Sequence, residues 1–82
     1  MFYIYILRSI NHGCYYIGSC ENIEERIKQH NAGNVKSTKK FIPWELKYNE
    51  GHPTRKEAVQ REKKIKSWKS RKAIEKLFKK HF

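Results

Sequence analysis

Two short runs of β-branched and aromatic residues, joined by a single turn signal, constrain this chain more than any other feature. Phe2 to Ser9 is one run, Cys14 to Ser19 is the other, and Asn11-His12-Gly13 lies between them. Such runs favour strands, and the short polar, glycine-ended break favours a reversal, so the segment reads as an antiparallel hairpin. Strand side chains alternate between faces, so Tyr3, Tyr5 and Leu7 share one face and Tyr16 and Gly18 share a face of the partner strand. In the expected register Tyr5 and Tyr16 project to the same side. Gly18 leaves room there for a ligand or another backbone to approach. Equally, both tyrosines could simply fill the core.

The rest of the chain divides into short punctuated elements. Asn22 followed by Glu25 predicts a helix start, and the helix should run to about Ala32, with Gly33 as its stop. Asn34 to Ile42 reads as a basic loop carrying Lys36, Lys39 and Lys40. Trp44 to Asn49, after Pro43, reads as a third strand, and His52-Pro53-Thr54 marks the next junction. Thr54 with Glu57 has the spacing of a capping box and opens a helix to about Trp68, and Ser70 should cap a last helix to about Lys80. The order β-β-α-β-α-α predicts an α+β fold: a three-stranded, mainly antiparallel sheet with helices packed over it. With 82 residues, the chain is expected to form a single domain over 1–82. Its aromatics, Trp44, Tyr48 and Trp68 among them, are expected inside, with base stacking as the other use for those three.

Lys and Arg number 19 against 8 Asp and Glu, a formal charge of +11. That excess favours a polyanionic partner, DNA or RNA, over a merely solvated basic surface. The apolar stretch Phe2 to Leu7 is broken by Arg8 and is far shorter than the ~20 residues of a membrane helix, so no membrane partner and a cytoplasmic location are expected. Cys14 and Cys20 do not have a zinc-site spacing, and His12, His30, His52 and His81 are scattered. The thiols read as small apolar side chains.

Two helices carry polar residues where apolar ones belong. On the first, Ile23, Ile27 and His30 fall on one stripe with Arg26 at its edge, four residues before His30. A buried arginine needs a carboxylate or a phosphate; the alternative is a snorkelling arginine beside a half-exposed histidine. On the second, Glu62 falls within the stripe of Ala58, Val59, Ile65 and Trp68, while Arg61, Lys63, Lys64 and Lys66 surround it. An inward carboxylate needs a compensating cation. Arg26 in a structural ion pair and a divalent metal both satisfy that need.

Tyr3-Ile4-Tyr5, Tyr16-Ile17-Gly18, Arg26 with His30-Asn31 and the later Glu62 resemble, in that order and over nearly the whole chain, the GIY-YIG nuclease superfamily. The chain is most similar to its small stand-alone bacterial members. The resemblance implies an α/β sandwich-like nuclease fold and one divalent ion, Mg²⁺ or Mn²⁺, with Glu62 as its ligand. Carried over, Tyr5 is the general base or positions the attacking water, Tyr16 orients water or phosphate, Arg26 stabilises the phosphate, and His30 assists proton transfer. Nearby positive charge is expected to lower the pKa of the catalytic phenol. Lys36, Lys39, Lys40 and the basic C-terminal half, Arg61 included, are expected on the nucleic-acid backbone. Tyr3 stands where the family name has glycine. The function implied is a divalent-metal-dependent DNA endonuclease, directed to structure or damage in repair or recombination. The competing reading is a non-catalytic nucleic-acid-binding module or an adaptor with a protein partner, and RNA is the alternative ligand.

Overall fold

The computed structural model describes residues 1–80; His81 and Phe82 lie outside the described residues. Three strands form one antiparallel sheet: β1 (Phe2–Ser9) is central, with β2 (Tyr15–Cys20) on one side and β3 (Trp44–His52) on the other. Three helices, α1 (Ile23–Asn31), α2 (Arg55–Ser67) and α3 (Arg71–Lys80), complete an α+β fold in the expected order. Because β1 is covered on both faces, its alternation sorts two kinds of core rather than core from solvent. Ile4 and Ile6 point to the layer of α2 and α3, where they pack with Ile17, Ala58, Ile65 and Leu77. Tyr5 and Leu7 point to the α1 layer, with Trp44, Tyr16 and Ile27.

Local chemistry sets the helix starts. The Asn22 side chain accepts from the Glu25 N–H at 3.1 Å, Thr54 Oγ1 from the Glu57 N–H at 3.2 Å, and Ser70 Oγ from the Ala73 N–H at 3.2 Å. Each satisfies a backbone donor that the first helical turn leaves unpaired. Beyond α1, Gly33 sits at φ 80°, the left-handed conformation that ends many helices.

Three boundaries differ from the sequence expectation. β2 begins one residue later and ends at Cys20, and β3 continues three residues past Asn49 to His52, so His52 belongs to the strand and not to the junction. The segment read as a basic loop contains a 3₁₀ turn at Lys39–Phe41. β3 also carries a bulge. Ile6 pairs with Tyr48 but Leu7 pairs with Leu46, which leaves Lys47 as the extra residue. The insertion reverses side-chain parity along one strand. Trp44 therefore faces the α1 layer, while Tyr48 joins the opposite core. Without that extra residue Trp44 and Tyr48, four apart, would share one face.

Candidate active site

The β1–β2 register sets Tyr5 opposite Gly18 and Leu7 opposite Tyr16. Tyr5 and Tyr16 do share a face, with ring centroids 6.3 Å apart. The space expected for a ligand at Gly18 is filled from within: a Cβ there would lie 2.6 Å from Tyr5 Oη and 2.7 Å from Cζ. Gly18 is what lets the Tyr5 ring lie flat across the neighbouring strand. Gly18→Ala is thus expected to destabilise by about 1–3 kcal/mol, as overpacking of a close-packed site does. A denaturant midpoint unchanged from wild type would show that Tyr5 can move aside freely.

α1 supplies the partners of Tyr5. His30, on the inward side of its last turn, is 0 % exposed, and Tyr5 is 1 % exposed. Tyr5 Oη and His30 Nε2 are 2.9 Å apart, and His30 Nδ1 is 2.8 Å from Thr38 Oγ1. Arg26 Nε donates to Tyr5 Oη at 3.4 Å and Nη1 donates to Gln29 Oε1 at 2.9 Å. Its Nη2 makes no hydrogen bond among the described residues. Arg26 is half-buried and held by a phenol and an amide, and no carboxylate among the described residues pairs with it. His30 is wholly enclosed, contrary to the half-exposed alternative. The Tyr16 ring stands 5.0 Å from the His30 ring, edge to face, and is half-buried.

Burial decides the electrostatics. Desolvation pushes the Tyr5 pKa up to about 12, and the Arg26 hydrogen bond and charge offset only part of that. Arg26 lowers the Tyr5 pKa, as expected of a neighbouring cation, but burial outweighs it and the net shift is upward. Burial, and secondarily the Arg26 charge, pushes the His30 imidazole down and keeps it neutral. An unfolded chain takes up that proton near the ordinary histidine value of about 6.5. The unfolded state is then the more protonated just below that pH, so His30 should cause stability to fall as pH drops through 6.5. Urea midpoints of wild type and His30→Gln at pH 7.5 and 5.5 check this: the wild type should lose more on acidification than the variant.

Asn31 fixes the end of α1 on the sheet. Its side chain donates to the Trp44 carbonyl at 3.1 Å and accepts from the Trp44 N–H at 2.7 Å, as a neighbouring strand would. Trp44 Nε1 donates to the Thr38 carbonyl at 3.0 Å, and Ser9 Oγ donates to the Phe41 carbonyl at 2.8 Å. The segment bearing Lys36, Lys39 and Lys40 is thereby moored beneath His30, with all three lysines exposed. Thr38, buried at its centre, was invisible to pattern reading because a threonine in a basic loop carries no periodic signal.

Glu62 stands apart from this cluster. It lies on α2, in the layer on the other side of the sheet, with its side chain 18 % exposed and paired to Lys66 Nζ at 2.7 Å. The structural ion pair with Arg26 considered from the sequence is not formed. Arg61 is engaged as well: its Nε donates to Glu50 Oε1 at 2.7 Å, and its guanidinium lies over Trp68. Glu50 also accepts from Tyr48 and bonds His52 at 3.0 Å, a polar tie between β3 and α2 that no sequence pattern announced.

A family model described as the GIY-YIG catalytic domain matches residues 1–79. The chain belongs to the GIY-YIG nuclease superfamily. Among its relatives is a UPF0213 protein of Staphylococcus saprophyticus, 40 % identical over 73 residues and covering 88 % of each chain. A UPF0213 protein of Halobacterium salinarum is 34 % identical over 67 residues, covering 80 % of this chain and 86 % of its own. The solution NMR structure of a Bacillus halodurans UPF0213 protein is similar at a TM-score of 0.57 and 33 % identity, over 94 % of this chain and 82 % of that one.

The GIY-YIG name also gives the departure at Tyr3 a physical reading. Tyr3 pairs with Gly51 across β3, where a Cβ would stand 3.2 Å from the Tyr3 ring. Gly51 makes room first for Met1, whose Sδ would lie 2.5 Å from such a Cβ, and then for the Tyr3 ring. GIY-YIG nucleases in general use divalent metal ions. Among the described residues no group of three or more His, Cys, Asp or Glu forms a cage. Both His30 nitrogens are already bonded. The carboxylate that the resemblance assigns to the metal, Glu62, is a single hard donor, a kind that fits a hydrated magnesium-like ion completed by substrate oxygens and does not fit zinc.

Proposed function

We propose that this chain is a divalent-metal-dependent endonuclease that hydrolyses DNA phosphodiesters, directed by DNA structure or damage rather than by base sequence, and serving repair or recombination in the cytoplasm. The observation that carries the reading is Arg26: a guanidinium held by Tyr5 and Gln29, with Nη2 unengaged among the described residues, beside the half-buried phenol of Tyr16. A fixed planar fork with one free edge matches a phosphate oxygen. In the reaction the water oxygen bonds to phosphorus, the bond to one ester oxygen breaks, and a proton moves, net, from the water to the departing oxygen.

Tyr5 is too enclosed to meet solvent, so its role shifts from base to anchor, holding Arg26 and passing polarity to His30. Tyr16, the more open phenol, orients the attacking water. β2 is an outer strand, with α2 packed on one side and the Tyr5–Arg26 pair on the other. We place the scissile phosphate along that edge, the line both layers reach. Glu62 would release Lys66 to hold Mg²⁺ or Mn²⁺, and such an ion, when bound, supplies Lewis acidity to the phosphate. Lys36, Lys39 and Lys40 bind flanking phosphates, which gives salt-dependent affinity without sequence preference. Arg61 is left out of this surface because Glu50 already holds it.

The test is cleavage of branched, nicked, single-stranded and duplex DNA in Mg²⁺, Mn²⁺ or EDTA. Cleavage that EDTA stops supports the reading. Binding without cleavage in either metal would instead establish a non-catalytic nucleic-acid-binding module.

A further inference from the structure

The hydrogen bonds around His30 have only one self-consistent direction. Arg26 can only donate, so the Tyr5 oxygen accepts from it. The Tyr5 proton then needs an acceptor inside an enclosed site, and among the described residues only His30 Nε2 is in reach. Nε2 is therefore bare, and in a neutral ring the proton sits on Nδ1. That N–H donates to Thr38 Oγ1 at 2.8 Å, and the Thr38 hydroxyl in turn donates to the Val35 carbonyl at 3.4 Å. The opposite tautomer points a second N–H at the Tyr5 oxygen and leaves the phenol proton with no acceptor in a buried place. A charged imidazolium fails for the same reason.

The chain thus runs Arg26 to Tyr5 to His30 to Thr38 to Val35, each donating to the next. Reversing one link reverses what the Tyr5 oxygen presents to Arg26. We propose that Thr38 is a positioning residue of this site: by accepting from Nδ1 it pairs the buried N–H that the Tyr5–Arg26 contact imposes on His30, and so holds the ring where the Tyr5 oxygen stays an acceptor for the phosphate-facing arginine. Its consequence for cleavage rests on the endonuclease reading, but the tautomer itself does not. Thr38 lies on the segment that carries Lys36, Lys39 and Lys40. One residue therefore joins the DNA-facing lysines to the orientation of the arginine.

Imidazole ¹⁵N chemical shifts of wild type, Thr38→Val and Thr38→Ser at neutral pH test the assignment. Wild type should show Nδ1 protonated and Nε2 bare. Thr38→Ser keeps the acceptor and should match it. Thr38→Val, nearly isosteric but without an acceptor, leaves the buried Nδ1–H unpaired, so it should displace the ring, move the Nδ1 resonance and speed solvent exchange of the Arg26 Nε proton. An Nε2–H tautomer in wild type, or a valine variant with unchanged ring and Arg26 resonances, would overturn the proposal. An Nε2–H wild type overturns it even if the valine variant does not fold, and Thr38→Ala then supplies the acceptor-free comparison. In an active preparation the valine variant should cleave about 10–100-fold more slowly, the range seen when the outer partner of a metal-bound histidine is removed, and serine should restore the rate. Unchanged cleavage after a confirmed shift of the His30 and Arg26 resonances would also sink the positioning role. If the wild type cleaves nothing, the function reading fails while the spectra still settle the role of Thr38.

Discussion

Glu62→Gln should abolish most DNA cleavage while leaving the fold untouched. Glu62 is 18 % exposed, and its partner is Lys66, one helical turn onward. Such i,i+4 pairs contribute about 0.3–0.5 kcal/mol. Glutamine keeps the length and the helix propensity of the side chain, so the thermal midpoint should scarcely move. A metal bound as a Lewis acid contributes several kcal/mol to the transition state, and each ~1.4 kcal/mol is tenfold in rate, so a loss of about a thousandfold or more is expected. Direct metal titration should show weakened Mn²⁺ binding in the variant, by calorimetry or paramagnetic broadening. Undiminished metal-dependent cleavage by Glu62→Gln would remove Glu62 from the site.

Arg26→Gln is the second large effect, and it acts from the other side of the sheet. In the proposed reaction the free edge of the guanidinium is the group that meets the phosphate, and loss of one such fixed donor costs about 10²–10³ in rate. Tyr5 would lose the N–H that reaches it at 3.4 Å but keep His30 at 2.9 Å, so the core should survive. Arg26→Lys tests geometry against charge. An ammonium restores the charge but not the fork, so it should recover DNA affinity more than turnover. Full recovery of turnover by lysine would mean that only charge matters at this position. Single-turnover rates at saturating DNA separate these cases.

Much of the frame was legible from residue order because local signals and tertiary demand agree. The Asn11-His12-Gly13 break, the caps at Asn22, Thr54 and Ser70, and the stop at Gly33 each do locally what the fold needs. The shared face of Tyr5 and Tyr16 follows from period-two alternation alone. What escaped depends on long-range partners. The bulge at Lys47 has no local marker, yet it decides which way Trp44 and Tyr48 point. Thr38 and Gln29 matter for what they touch, not for where they fall in a pattern. Glu62 illustrates the reverse: its place on the stripe was readable, but the cation beside it in the folded chain is Lys66 and not Arg26. The pKa of Tyr5 was misjudged because charge can be counted in a sequence, whereas desolvation appears only once the chain is packed.

β1 threads two unlike territories. Its even residues, Ile4 and Ile6, belong to an aliphatic layer whose job is mechanical, and its odd residue Tyr5 opens the layer where charge and proton placement matter. Changes among the aliphatic side chains around Ile65 and Leu77 can therefore accumulate without rewriting the chemistry, so long as stability and the position of Glu62 are kept. The spacing of β1 itself has no such latitude. Loss or gain of a single residue between Tyr5 and the turn that pins the hairpin would exchange isoleucine for tyrosine on both sides at once. The length of this strand, more than the identity of most residues around it, is what a lineage of such proteins must preserve.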